Sequence, residues 1–164
     1  MLPLHPRLVH LPIALSVLMP LVTSGLLLAW WRGWLPRRAW VVAVVLQAAL
    51  VVGGVAAIRS GEADEHRAET VLSERLIEEH EDAAKLLTGA ALVVLLVAAA
   101  GLLLRGEGAA RAAAAVAVVG TLAVLLLAYR AGELGGRLVY VHGAASAFAP
   151  APGALPAPAK QEED

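Results

Sequence analysis

Four stretches of the chain contain no charged residue, at positions 8–31, 39–58, 86–104 and 112–129. They hold 24, 20, 19 and 18 residues. A helix rises about 1.5 Å per residue and the hydrocarbon core of a bilayer is about 30 Å thick, so each stretch is long enough to cross it. None has the polar stripe that a helix of a water-soluble bundle carries. The pattern therefore predicts an all-α membrane bundle of four transmembrane helices.

The connection between the second and third spans has a different periodicity. Residues 62–84 contain no Gly or Pro, and Leu72, Leu76, His80 and Ala84 recur every four residues. This spacing predicts an amphipathic extramembrane helix that runs directly into the third span. His80 lies at the edge of the apolar stripe, so we expect it to point inward over the bundle. His66 falls on the acidic face and is expected to face water.

Beyond the fourth span, two adjacent glycines, Gly135 and Gly136, are expected to break the helix. The apolar segment that follows, with Tyr140 as an interfacial anchor, would then fold back over the end of the bundle and bring His142 with it. Residues 147–164 are rich in Pro and Ala and predict a disordered tail. The four-helix domain is therefore assigned to residues 1–146.

One polar residue lies near the middle of a predicted span. A buried amide in lipid needs a partner, so Gln47 predicts an interhelical hydrogen bond, with ligand binding as a sharper but less favoured alternative. On the same span, Ala49, Gly53 and Ala57 have the four-residue spacing that lets membrane helices approach closely.

Basic residues and tryptophans indicate an orientation. The connection at 32–38 carries three arginines, and all four tryptophans of the chain surround it, as expected for an interfacial belt. The third connection carries Arg105 and Arg111, whereas the second holds nine acidic and four basic residues. The density of Lys and Arg favours a cytoplasmic location for the two short connections. Both termini and the acidic connection would then lie outside.

Four spans place the N-terminus, the second connection and the C-terminal segment on one side of the membrane, whatever the orientation. All five histidines lie in or beside these segments: His5, His10, His66, His80 and His142. This side also holds most of the extramembrane residues. A distribution of histidines that simply follows loop length therefore explains their placement equally well.

Composition narrows the possible functions. The chain is 59% hydrophobic, carries a net charge of −1 and has no cysteine. The charge offers no basic surface for nucleic acid. Without cysteine, thiolate metal sites, iron–sulfur clusters and covalently attached haem are excluded. No nucleophile with a base and no phosphate-binding glycine loop stands out, so the residues favour no enzymatic reaction.

Two motifs resemble a known bacterial family. They are His-Pro-Arg-Leu-Val-His-Leu-Pro-Ile-Ala-Leu at 5–15 and Gly-Gly-Arg-Leu-Val-Tyr-Val-His-Gly at 135–143. Both are similar to DUF2231, a family of predicted inner-membrane proteins with four helices and no assigned activity. Its members tend to have a histidine before the third helix, which His80 matches. Leu11 and Ala144–Ala145 depart from the usual pattern. The resemblance implies a bacterial plasma-membrane protein, and relatives linked to cytochrome-type and Rieske-type domains imply electron transfer.

These observations leave three functional hypotheses. The favoured one is a non-catalytic membrane subunit in which histidines form a polar cap and the protein scaffolds a partner, such as a redox protein or another membrane subunit. The alternative is a redox module that binds b-type haem or a metal through His10, His80 and His142, with Tyr140 beside them. A pH-responsive sensor is a further alternative, because histidine titrates in the physiological range.

Overall fold

The computed structural model describes residues 4–149, and the tail predicted to be disordered falls largely outside them. The described residues form five α-helices. Two 3₁₀ turns, Arg37–Trp40 and Ala144–Phe148, accompany them. The helices are α1 (His5–Leu8), α2 (His10–Trp31), α3 (Val41–Ala68), α4 (Glu74–Leu103) and α5 (Glu107–Tyr140). Four helical segments, with α1 and α2 counted together, are long and apolar enough to span a membrane. The prediction of an all-α protein with four such helices is confirmed.

The bundle has small residues inside and large apolar residues outside. The interior is lined by alanines that are at most 1% exposed, namely Ala43, Ala91, Ala110, Ala114 and Ala117. Large side chains such as Leu21, Val52, Leu96 and Leu126 point outward and are at least 64% exposed. A lipid chain is as apolar as leucine, so membrane helices associate through close packing at small residues. Water-soluble proteins bury their large apolar side chains, whereas this bundle exposes them. A bilayer favours this arrangement.

Close approach brings side chains of one helix to the main chain of another. Gln47 is fully buried on α3, and its Nε2–H donates to the carbonyl of Ala91 on α4 at 2.9 Å. The predicted interhelical hydrogen bond of Gln47 is therefore confirmed. Thr23 of α2 and Thr121 of α5, both buried, place their hydroxyls 3.5 Å apart at another level of the bundle.

The predicted tryptophan belt is wrong for two of its four members. Trp31 and Trp34 are exposed, but Trp30 and Trp40 are buried within the bundle. The indole N–H of Trp40 donates to the carbonyl of Ala98 on α4 at 2.9 Å. Its ring fits because Gly101 has no side chain, since a Cβ there would lie 3.0 Å from Trp40 Nε1. A tryptophan needs a partner for its N–H when buried, and the closely packed α4 supplies one.

The arginine-rich end is closed by a cap on α4. Arg37 donates from Nε to the carbonyl of Gly101 at 3.0 Å and from a terminal nitrogen to the carbonyl of Leu104. The last carbonyls of a helix have no partner within it, and a cation at that end also complements the helix dipole. Arg37 therefore joins the start of α3 to the end of α4.

At the opposite end, the prediction of one continuous helix over residues 62–84 is wrong. The first part, up to Ala68, continues α3, a turn occupies residues 69–73, and α4 begins at Glu74. Ser73 is extended at the N-cap, Glu74 follows in the first turn, and Leu72 is buried beneath the turn. These residue types favour a helix start, so the reversal needs neither Gly nor Pro. Both helices extend beyond their charge-free stretches as a helical hairpin.

The predicted break at Gly135–Gly136 is also wrong, because α5 runs through both glycines to Tyr140. The chain reverses at Gly143, whose φ of +73° lies in the left-handed region that glycine adopts without strain. The 3₁₀ turn Ala144–Phe148 then packs against α3. The apolar run up to Tyr140, which was predicted to fold back, therefore belongs to α5, and only the chain beyond Gly143 folds back.

The placement of the tryptophans gives a matched test. Trp40→Phe removes a buried N–H···O bond and leaves a void, so it should lower the free energy of unfolding in detergent by about 1–3 kcal/mol. Trp34→Phe, at a residue 69% exposed, should change it by less than about 0.5 kcal/mol. Equal effects of the two substitutions on SDS-induced unfolding would contradict a structural role specific to Trp40.

Candidate functional site

The site begins with a break near the start of the chain. Pro12 has no N–H, so the carbonyl of Leu8 lacks its usual helical partner and the helix is interrupted at Val9. The result is the four-residue helix α1, which begins at His5 and packs against α3. This short helix places His5 against α3.

His5 is bound to the main chain of α3. Its Nδ1 lies 2.8 Å from the carbonyl oxygen of Ala57 and 3.3 Å from the hydroxyl of Ser60. A carbonyl only accepts, so Nδ1 carries the proton. The Ser60 hydroxyl donates to the same carbonyl at 2.8 Å. Gly61 makes room for the ring, because a Cβ there would lie 3.3 Å from His5 Nδ1.

His80 joins α4 to α5 in the same way. Its ring is half-buried, as expected from its position on the apolar stripe, and Nδ1 donates to the carbonyl of Ala131 at 3.1 Å. A Cβ at Gly135 would lie 3.0 Å from His80 Cε1. Gly135 is therefore a small residue on which the imidazole rests, which explains a glycine inside a helix that it does not break.

The two imidazoles form a histidine pair, defined as His5 and His80. Their ring centroids are 6.0 Å apart and their planes meet at 87°, an edge-to-face arrangement within the range of aromatic contacts. No hydrogen bond joins the two rings. Neither Nε2 has a hydrogen-bond partner within residues 4–149, so both second nitrogens remain free as acceptors in the neutral rings.

The other candidate residues belong to the same end of the bundle as this pair, at the start of α2 and the end of α5. His10 is exposed, and its Nδ1 lies 3.3 Å from the carbonyl oxygen of Arg7, three residues earlier in the chain. His142 is half-buried just beyond α5, and Tyr140 is 89% exposed. Of the residues described, the histidine whose ring packs against His80 is His5.

His66 has the surroundings predicted from its place on the acidic face. Its side chain is fully exposed, and Nδ1 lies 3.4 Å from a carboxylate oxygen of Glu69. The expectation that His66 faces water is confirmed.

His5 was not singled out by sequence reasoning. The charge-free stretch that predicts the first span begins at Leu8, so it does not include His5. Two features pointed to it: Pro6 suits the first turn of a helix, and Pro12 interrupts that helix soon afterwards. Together they predict a short helical turn whose first residue is His5.

The electrostatics of the pair follow from its position. His80 precedes the charge-free stretch of α4 by six residues and lies among acidic side chains, outside the apolar part of the helix. Burial lowers the pKa of His80 below its ordinary value of 6.5, and His5 lowers it further. The Ala131 carbonyl and Glu81 act in the opposite direction. The neutral ring of His80 is therefore favoured, first because burial penalises the charged form and second because protonation of both imidazoles would place two positive charges close together.

The bundle carries grooves on its outer surface. Two open grooves of about 400 Å³ run along its outside. One is apolar, between α2 and α5, and is lined by residues such as Val17 and Tyr129. The other lies between α4 and α5 beside Asp82 and Arg130. No histidine lines either groove, and residues 4–149 contain no group of three His, Asp or Glu side chains placed to hold a metal ion.

The adjacent glycines provide a matched test of the His80 contact. Ala favours a helix interior over Gly by roughly 0.5–1 kcal/mol. Gly136→Ala should gain this stability, because nothing lies within 4 Å of the added Cβ. In Gly135→Ala the same gain should be offset or exceeded by a loss of stability, because the added methyl group would press on His80. Thermal unfolding in detergent measures both, and equal stabilisation by the two would exclude the contact.

Comparison with known proteins agrees with the fold. No curated protein and no solved structure matches the chain. A family model described as a predicted membrane protein, DUF2231, matches residues 1–147, which include all four long helices, the histidine pair and both motifs. The chain therefore belongs to the DUF2231 family of predicted membrane proteins.

Proposed function

We propose that this protein is a non-catalytic membrane subunit whose histidines form a polar cap at one end of the bundle. The observation that supports it most is the use of the Nδ1 atoms. His5 and His80 both direct this nitrogen to a main-chain carbonyl on another helix, at 2.8 and 3.1 Å. The His5 hydrogen bond links α1 to α3 and the His80 hydrogen bond links α4 to α5. The edge-to-face contact between the two rings then joins these two pairs of helices.

The distribution of polar groups favours a structural role over catalysis. The two grooves described on the outside of the bundle carry no histidine. A catalytic histidine needs access to a reacting atom in a pocket where the substrate is held. The arrangement found here stabilises the end of the bundle instead.

The capped end is also the end best suited to a partner. Here α3, α4 and α5 all extend beyond their charge-free stretches, and Tyr140 is strongly exposed. Residues 59–85 carry nine acidic and four basic side chains. We propose that a redox protein or another membrane subunit binds at this face, which in the bacterial plasma membrane would be the periplasmic one.

The orientation has a direct test. A reporter fused after Asp164 and one inserted in residues 32–38 should lie on opposite sides of the membrane, with the C-terminal one outside, because the short connections have the higher density of arginine. Alkaline phosphatase and green fluorescent protein fusions distinguish the two sides. A cytoplasmic reading after Asp164 would reverse the orientation and move the proposed partner face to the cytoplasm.

The cap predicts a pH-dependent stability. Because folding lowers the pKa of His80, the folded protein binds fewer protons than the unfolded chain. The stability contributed by the neutral ring is present above about pH 6.5 and is lost as the pH falls through the lowered pKa. Detergent unfolding from about pH 7.5 to about pH 5.5 should therefore show a loss of stability on acidification.

The substitution His80→Asn isolates this contribution. An asparagine amide can donate from nearly the same place as Nδ1 and keep the bond to Ala131, but it does not titrate. The variant should fold with a weaker dependence of unfolding on pH. An unchanged dependence would show that His80 does not couple protonation to folding and would count against the proposed cap.

A further inference from the structure

Both rings of the histidine pair have one nitrogen occupied and one nitrogen free. Nδ1–H of His5 and of His80 donates to a main-chain carbonyl, which fixes the tautomer and leaves the lone pair on Nε2. Histidines that bind metals usually have this arrangement, with the second ring nitrogen donating to a carbonyl or carboxylate. The carbonyls of Ala57 and Ala131 fulfil that role here.

The separation of the rings suits a shared ion. Two imidazole nitrogens bound to one ion at about 2.0–2.1 Å hold the ring centroids at most about 6.5 Å apart. The observed separation is 6.0 Å. The two backbone anchors thus hold the ring centroids within this limit.

We propose that His5 and His80 bind a copper ion through their Nε2 atoms. The donors are two imidazole nitrogens, a ligand type that suits copper, zinc, iron and nickel. Zinc sites in proteins generally use three or four protein ligands, and no third side chain of that kind joins the pair among residues 4–149. Copper(II) has the highest affinity in the divalent series for a given site, so it best tolerates two protein ligands completed by water.

The charge of the surrounding surface favours a cation. The helical hairpin that carries His80 holds nine acidic and four basic residues between positions 59 and 85. Such an excess of carboxylates raises the local concentration of cations. It makes approach of an ion to the pair favourable, although it contributes no ligand to the site.

The inference rests on the proposed cap, and one pair of variants separates the two. His5→Asn and His80→Asn keep a donor for the Ala57 and Ala131 carbonyls but remove Nε2. The cap should persist in both, whereas copper binding should be lost. His10→Asn and His66→Asn are the matched controls, because both of these rings lie outside the pair.

The experiment uses the full chain, purified in detergent without a polyhistidine tag and titrated with copper(II) sulfate. The expected result is binding of a single ion, with electron paramagnetic resonance showing hyperfine coupling to imidazole nitrogen. Affinity should fall at least about tenfold in His5→Asn and in His80→Asn and stay at the wild-type value in the two controls.

Three results would overturn the proposal: no copper binding by the wild-type protein, equal loss in the controls, or unchanged affinity in the pair variants. Failure of the cap would be seen separately in the metal-free protein, where His80→Asn would leave the pH dependence of unfolding unchanged from that of the wild type. Circular dichroism of each variant shows that it is folded before it is titrated.

Discussion

The close approach of helices at small residues is the constraint on which the rest of this structure depends. In lipid, helices gain little from burying apolar side chains against one another, so packing and hydrogen bonds must hold them together. Most of the polar side chains that link one helix to another bind a main-chain carbonyl. The acceptors lie on Ala57, Ala91, Ala98, Gly101, Leu104 and Ala131. All but Leu104, which lies at the exposed end of α4, are Ala or Gly, the residues whose side chains leave a carbonyl accessible to a neighbouring helix.

This constraint explains why the two ends of the bundle have different residues but one mode of bonding. At the arginine-rich end, Arg37 and Trp40 donate to α4. At the other end, His5 donates to α3 and His80 to α5. The imidazoles differ from the arginine and the indole in one respect, because each neutral ring has a second nitrogen whose lone pair can accept a hydrogen bond or bind a metal. That spare nitrogen gives the histidine end chemical possibilities that the arginine end lacks.

The sequence predicted the number and type of the long helices because charge-free length is set by membrane thickness alone. It also predicted that His80 points inward, since a four-residue periodicity defines a helical face without knowledge of the neighbours. The same reasoning failed where partners decide the outcome. Gly135–Gly136 is a helix breaker by propensity, yet at Gly135 the neighbouring imidazole of His80 takes the space of a side chain. Trp40 is an interfacial residue by type, yet Gly101 and the Ala98 carbonyl create a buried position for it.

The accessible carbonyls have a consequence for how this fold tolerates change. Replacing two Cβ hydrogens by methyl groups, as in Ala to Val at positions 98 or 131, keeps the segment apolar and the helix length unchanged. It nevertheless covers the oxygen that a tryptophan or histidine on another helix requires. Exchange of one hydrophobic residue for another is usually harmless on a lipid-facing surface. At these positions it removes the hydrogen-bond acceptor of a polar side chain on another helix. The hydrogen bonds between these helices therefore depend on the alanines that expose the acceptor carbonyls as much as on the histidines that donate to them.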